Sequence, residues 1–175
     1  MELRRRDLEP DPLAQFAAWF AAAGEAGLPF PEAVALATAT RGGVPSVRMV
    51  LAKAADERGF VFFTNYGSRK GRELAENPRA ALLFHWQPLG RQVRVEGAVS
   101  RVPAEESDAY FRTRPLRSRL SAIASGQSEP VATRAELEAR VAALQGDLPL
   151  DQGSDRPVRR HGVAARVPPG RPARV

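Results

Sequence analysis

The chain has 175 residues, no cysteine, and a net charge of +6 from 26 Lys plus Arg against 20 Asp plus Glu. That length suits one domain whose core folds without staples; the missing cysteine excludes a disulfide framework, a thiolate metal site and a cysteine nucleophile. Residues 1–7 carry no apolar signal core and no apolar run is long enough to span a bilayer, so the expectation is a soluble cytoplasmic protein with no membrane partner.

The positive charge is scattered among acids rather than gathered in a patch, and nearly all of it is arginine; Lys53 and Lys70 are the only lysines. Both fall beside expected strand ends. An ammonium is a compact cation with three donors, where a guanidinium is a planar fork, so two retained lysines invite a specific role. No strand face interleaves aromatics with cations, which argues against a nucleic-acid partner.

Asp11-Pro12 reads as an N-cap and first helical position, and Leu13, Phe16, Trp19 and Phe20 then recur at helical spacing until Gly24 or Gly27. Residues 33–40 read as a strand and 41–43 as a turn. Residues 44–54 form a second strand with Val47, Met49 and Leu51 on one face and Arg48, Val50 and Ala52 on the other. Arg48 therefore sits among apolar neighbours, where an unpaired guanidinium is costly, and needs an anion. An internal carboxylate or a bound phosphate would both serve. Lys53, five residues on, points to the opposite face if the strand is regular.

The run Phe60-Val-Phe-Phe63 is expected as a buried strand. Gly67-Ser68 then gives a turn and an N-cap, and residues 69–76 a short helix stopped by Asn77-Pro78. This strand-to-helix junction carries a hydroxyl, Arg69 and Lys70 at a helix start, where unpaired N–H groups and the dipole suit a phosphate. An ordinary solvated helix start is the alternative.

Residues 79–86 and 92–102 read as paired strands. Gln92, Arg94 and Glu96 share one face of the second, and Val93, Val95 and Gly97 the other. His85 and Trp86 read as wall or core residues. A helix opens after Pro103, breaks at Arg114-Pro115 and resumes over 116–124. Tyr110, Arg114 and Ser118, spaced four and four, can converge on one anion; a helical corner with surface polar groups is the alternative. Thr133 with Glu136 reads as a capping box for a helix with Leu137, Val141 and Leu144 on one face, ended by Gly146. Short strands with aromatic walls and interspersed helices predict a small β-barrel with helices over its openings. No GxGxxG, P-loop, HExxH or GxSxG motif is present.

Five pieces together resemble one family. They are Arg48-Met-Val-Leu-Ala-Lys53, Phe63-Thr-Asn-Tyr-Gly-Ser-Arg-Lys70, Arg91-Gln-Val-Arg-Val-Glu-Gly97, Tyr110-Phe-Arg-Thr-Arg-Pro115 and Ser125-Gly-Gln-Ser128. In this order and spacing, over residues 10–146, the chain looks like a pyridoxamine/pyridoxine 5′-phosphate oxidase. The resemblance implies a mainly β fold with α elements, an FMN-binding split β-barrel of Greek-key-like form with flanking helices. It implies FMN contacts from Arg48, Met49, Val50, Leu51, Lys53, Phe63, Thr64, Ser68, Arg69, Lys70, Gln92, Gln127 and Ser128, with Arg48, Arg69 and Lys70 on the FMN phosphate. Lys53, Tyr110, Arg114 and Ser118 would hold the phosphate of a vitamin B6 substrate. The implied reaction is FMN-dependent oxidation of pyridoxamine or pyridoxine 5′-phosphate at the 4′ carbon by O2, with release of hydrogen peroxide, in a homodimer with FMN between the subunits. The cofactor carries that chemistry, which accounts for the absence of an acid–base or nucleophile motif.

Residues 1–146 are thus expected as one domain and 147–175 as an irregular tail, rich in Pro, Gly and Arg and without aromatics. The Trp-Gly-Gly strand, the Glu-Phe-Trp-Gln-Gly-Arg segment and the Arg-Leu-His turn that end the family are not recognisable there. Arg159-Arg160-His161 is only a superficial echo. A shifted reading frame, a rearranged gene end or a degenerate terminus would each produce such a tail, and a missing last strand would expose a sheet edge. The rival functions are an FMN-binding relative with another substrate, similar to the phenazine-pathway oxidases, a catalytically impaired variant, and a basic nucleic-acid-binding barrel.

Overall fold

The computed structural model describes residues 4–147 and 163–167; of the tail, 148–162 and 168–175, including Arg159-Arg160-His161, lie outside the described residues. After a short 3-10 turn, helix α1 (Pro12–Glu25) starts as its sequence predicts: the Asp11 carboxylate accepts from the Leu13 N–H at 3.0 Å, and Pro12 needs no partner for its missing N–H. Strands β1 (Ala33–Ala39), β2 (Pro45–Asp56), β3 (Gly59–Thr64), β4 (Arg79–Trp86), β5 (Arg91–Ala98), β6 (Ser100–Arg101) and β7 (Val163–Val167) form one sheet in the order β5-β4-β1-β2-β3-β7-β6. Its two outermost members, β5 and β6, are separated in the chain by Val99 alone. One bent strand therefore pairs with β4 on one side and with β7 on the other, which closes the sheet into a barrel.

Alternation decides what fills that barrel. Val34, Leu36 and Thr38 of β1 and Ala80, Leu82, Phe84 and Trp86 of β4 are buried, while the intervening residues face outward. Strand β3 has both faces covered, so its aromatic run is buried nearly throughout. Helix α1 lies over the aromatic end. The Phe16 ring meets Phe60 and Phe84 edge-on at 4.8 and 5.0 Å, and Trp19 and Ala23 are buried beside it. Burial of each such ring stabilises the fold by roughly 2–3 kcal/mol. The Trp86 indole N–H donates to the Pro31 carbonyl at 2.9 Å, so this large ring is buried without an unpaired donor.

The remaining helices are α2 (Arg69–Glu76), α3 (Ala104–Thr113), α4 (Leu116–Ala124) and α5 (Arg134–Asp147). The Arg114-Pro115 break between α3 and α4 stands where expected, with Arg114 extended. Thr133 accepts from the Glu136 N–H at 3.1 Å, one half of the expected capping box. Helix α5 runs through Gly146 to Asp147 rather than stopping there.

Two expectations need correction. The tail is not irregular throughout, because Val163–Val167 pairs antiparallel with β3, from Phe60↔Val167 to Thr64↔Val163, and with β6. Its residues show no clear alternation, so backbone pairing places it rather than a side-chain pattern. Strand β2 is also not regular to its end. Its partners on β3 step from Phe62 to Val61 as β2 steps from Ala52 to Ala54, which leaves Lys53 as the extra residue of a bulge. The alternation of β2 holds up to that point: Lys53 is exposed like Val47, Met49 and Leu51, whereas Arg48, Val50 and Ala52 are half-buried.

Candidate functional site

A cleft of about 1020 Å³ opens between β2, the end of β3, the α3–α4 corner and residues 125–128. Of the residues singled out by sequence, Arg48, Met49, Val50, Leu51, Lys53, Phe63, Thr64, Lys70, Gln127 and Ser128 line it, and so do Tyr110, Arg114 and Ser118. Lys53 lines the same cleft as Arg48, as do Met49 and Leu51 from the other face of β2. Ser68, Arg69 and Gln92 do not line it. Gln92 is exposed on β5 opposite His85, and so lies apart from its own chain's cleft.

The junction between β3 and α2 is built around Ser68, which is fully buried. Its hydroxyl donates to the Asn65 carbonyl at 2.5 Å and accepts from the Gly71 N–H at 3.3 Å, so it caps the helix instead of facing a ligand. Gly71 is required by close approach: a Cβ there would come within 2.7 Å of the Asn65 carbonyl oxygen and press on that of Tyr66. The turn is thereby folded tightly onto the first turn of α2, and Lys70 is aimed inward.

Lys70 is 7% exposed. Its ammonium donates to the Gln127 side-chain oxygen at 2.9 Å and to Ser68 Oγ at 3.3 Å, and no carboxylate pairs with it among the described residues. Burial first, and the neighbouring Arg48 charge second, push its pKa below the usual lysine value. A buried ammonium held only by an amide oxygen and a hydroxyl is matched by an anionic group entering the cleft, and a phosphate monoester has the required charge and acceptors.

Arg48 resolves differently. Its guanidinium donates to the Leu36 carbonyl at 3.2 Å, to Thr38 Oγ1 at 2.5 Å, to Ser46 Oγ, and to Glu73 Oε2 at 3.2 Å. Glu73 also accepts from Thr38 and Ser46, each at 2.5 Å, and its other oxygen accepts from Arg69 Nε at 2.8 Å. The sequence left Arg48 with two candidate anions, and the internal carboxylate is the one present. Burial raises the Glu73 pKa, but the bonds from Ser46, Thr38, Arg69 and Arg48 outweigh it and lower the value to about 2. Glu73 escaped sequence reasoning. Its four-residue spacing from Arg69 was readable, but its contact with Arg48 crosses from α2 to β2.

At the corner, Tyr110 stacks on Phe63 with centroids 3.6 Å apart and planes 12° apart, which ties α3 to β3. Arg114 passes over the Phe111 ring at 5.8 Å. Across the cleft, Gly126 accepts from the Glu129 N–H at 2.9 Å to close a turn in which Ser128 has φ +72°, a conformation that costs a non-glycine residue about 1 kcal/mol. Lys53 pairs with Glu32 at 3.7 Å. Among the described residues no group of His, Cys, Asp or Glu could hold a metal, and no helix is long and apolar enough to cross a membrane.

A family model described as pyridoxamine 5′-phosphate oxidase matches residues 20–146. The pyridoxine/pyridoxamine 5′-phosphate oxidase of Janthinobacterium sp. (strain Marseille) is 56% identical over 144 residues, covering 82% of this chain and 68% of that protein. The protein of the same name from Thermosynechococcus vestitus is 51% identical over 180 residues, 99% of this chain and 83% of that protein, so this match continues past residue 147. Among solved structures, PhzG from Burkholderia lata 383, in complex with tetrahydrophenazine-1-carboxylic acid, superposes with a TM-score of 0.84 at 32% identity, over 97% of this chain and 82% of that one. A pyridoxamine 5′-phosphate oxidase-related, FMN binding protein from Nostoc punctiforme shares the fold at 16% identity, with a TM-score of 0.70 over 93% of this chain and 83% of that one.

Proposed function

The chain belongs to the pyridoxamine 5′-phosphate oxidase family, and from that premise we propose that it oxidises pyridoxamine 5′-phosphate or pyridoxine 5′-phosphate to pyridoxal 5′-phosphate, with FMN as cofactor and O2 as electron acceptor. The observation that carries this reading is the buried Lys70 ammonium without a carboxylate partner among the described residues, in a cleft that Arg114 also lines. Two separated cations suit two phosphorylated ligands.

Lys70 would hold the FMN phosphate, with Thr64, Gln127 and Ser128 around it and the β2 segment from Arg48 to Leu51 along the ring system. Arg48 contributes positive potential from a fixed position, since four of its N–H groups already have internal acceptors. Tyr110, Arg114, Ser118 and Lys53 would grip the substrate phosphate and so orient the carbon to be oxidised. Bound FMN supplies the hydride acceptor and the reactivity toward O2. Val47, Met49 and Leu51 are 69%, 63% and 40% exposed in a row beside the cleft. That row and the outlying Gln92 support a homodimer in which each copy completes the other's site.

The superposition with PhzG favours one second reading, an FMN enzyme acting on a phenazine precursor. The Tyr110, Arg114 and Ser118 cluster argues for a phosphorylated substrate instead. An absorption spectrum of the purified chain, followed by peroxide release with pyridoxamine 5′-phosphate, decides. A flavin spectrum and turnover are expected. A colourless protein indifferent to added FMN overturns the proposal. A yellow protein inert with both B6 phosphates but active on tetrahydrophenazine-1-carboxylic acid establishes the second reading.

A further inference from the structure

Among the described residues five cations line the cleft, Arg48, Lys53, Lys70, Arg114 and Arg117, and no carboxylate does. Arg48 and Lys53 are answered by Glu73 and Glu32 at 3.2 and 3.7 Å. The remaining three have no carboxylate partner among the described residues. Lys70 and Arg114 correspond to the two phosphates of the proposed ligands, which leaves Arg117.

Arg117 is exposed at the cleft, in a place where a helix ordinarily carries an acid. Arg117 is the second residue of α4, a nine-residue helix whose first turn contains no acid. A cation there faces the positive end of the helix dipole, where carboxylates are ordinarily preferred. It stands three residues beyond Arg114 and beside Ser118. The Ser121 hydroxyl donates to the Arg117 carbonyl at 2.9 Å, so the Ser118 hydroxyl is the more available of the two for a ligand.

We propose that Arg117 is a specificity-determining residue of the substrate subsite, a second guanidinium that joins Arg114 in selecting the phosphate dianion. This rests on the reading of the cleft as a site for a phosphorylated B6 vitamer. A monoester phosphate carries nearly two charges at neutral pH. Lys53 on that phosphate is shared with Glu32, so Arg117 and the first turn of α4 add to Arg114 the compensation that the second charge needs.

The test compares Arg117→Ala and Arg117→Lys with the wild-type full chain loaded with FMN. For Arg117→Ala, the KM for pyridoxamine 5′-phosphate should rise about five- to tenfold, as for one exposed charge-assisted contact. The kcat and the FMN Kd should stay within about twofold, added salt should raise KM less steeply than in the wild type, and Arg117→Lys should recover most of the loss. A KM within about twofold of wild type, or an FMN Kd that rises as much as KM, overturns the proposal. Thermal upshift by pyridoxal 5′-phosphate, measured on the same proteins, separates this failure from that of the functional reading. A wild type that binds the vitamer without turnover defeats the oxidase reading, and Arg117 is then judged by whether Arg117→Ala loses the upshift. A wild type with neither turnover nor upshift defeats both.

Discussion

Two groups of cations lie within one small barrel and are treated in opposite ways. Around Glu73, Arg48 and Arg69 are neutralised by a carboxylate 4% exposed, with Thr38 and Ser46 occupying its remaining lone pairs. Lys70, Arg114 and Arg117, which also line the cleft, have no carboxylate partner among the described residues; Lys70 is held by an amide and a hydroxyl, and Arg114 lies over a ring. Residue type does not separate the two groups, since each includes arginine. The partner separates them: a cation answered inside the fold holds strands together, and one left unanswered is available to a ligand.

Removing the carboxylate should have the largest effect. Glu73→Ala strands Arg48 beside apolar neighbours and should destabilise the flavin-free chain by about 3–5 kcal/mol, lowering the Tm by roughly 6–20 °C. Glu73→Gln keeps the shape and exposes the pH dependence. The folded pKa of about 2 lies below the usual carboxylate value of 4.5, so the Glu73 contribution is fully present above pH 4.5 and is lost as pH falls toward 2. Between pH 5 and 3 the wild-type Tm should therefore fall more steeply than that of Glu73→Gln. Equal slopes would dissolve the contrast.

Lys70→Met should produce the reverse pattern. Flavin fluorescence titration should show FMN affinity reduced by about 30- to 100-fold, the loss of one charge-assisted bond in a buried site. Burial and the Arg48 charge lower the Lys70 pKa, so the buried ammonium does not add to the stability of the flavin-free fold and the Tm of that variant should be unchanged or higher. A variant that lost Tm and kept FMN would move Lys70 into the structural group. The smallest effect is expected at Ser128→Gly, which relieves the positive φ and should raise the Tm by about 1–3 °C.

Most of the scaffold could be read from local pattern. The Asp11-Pro12 start, the Arg114-Pro115 break and the Ser68 cap are one-turn effects, and each stands where its chemistry puts it. The α2 boundaries and the β4 boundaries agree residue for residue. What was hidden depends on distance or on irregularity. The Glu73–Arg48 contact joins residues 25 apart, so no periodicity announces it. The bulge at Lys53 shifts the pairing with β3 in a stretch whose residue pattern does not announce it. Strand β7 pairs about a hundred residues from β3 and carries too little alternation to be recognised. Arg117 was passed over because a cation on an exposed helix is ordinarily unremarkable; its place in the first turn, one step from Ser118, was the available signal.

The parallel rings of Phe63 and Tyr110 have a mechanical consequence. Phe63 is next to Thr64 on the Lys70 side, and Tyr110 stands one helical turn before Arg114. Stacked face to face, the rings fix α3 against the end of β3, and with them the spacing of the two proposed anion subsites. Under the proposed binding mode, two ligands would have to match that span as well as the charge at each end.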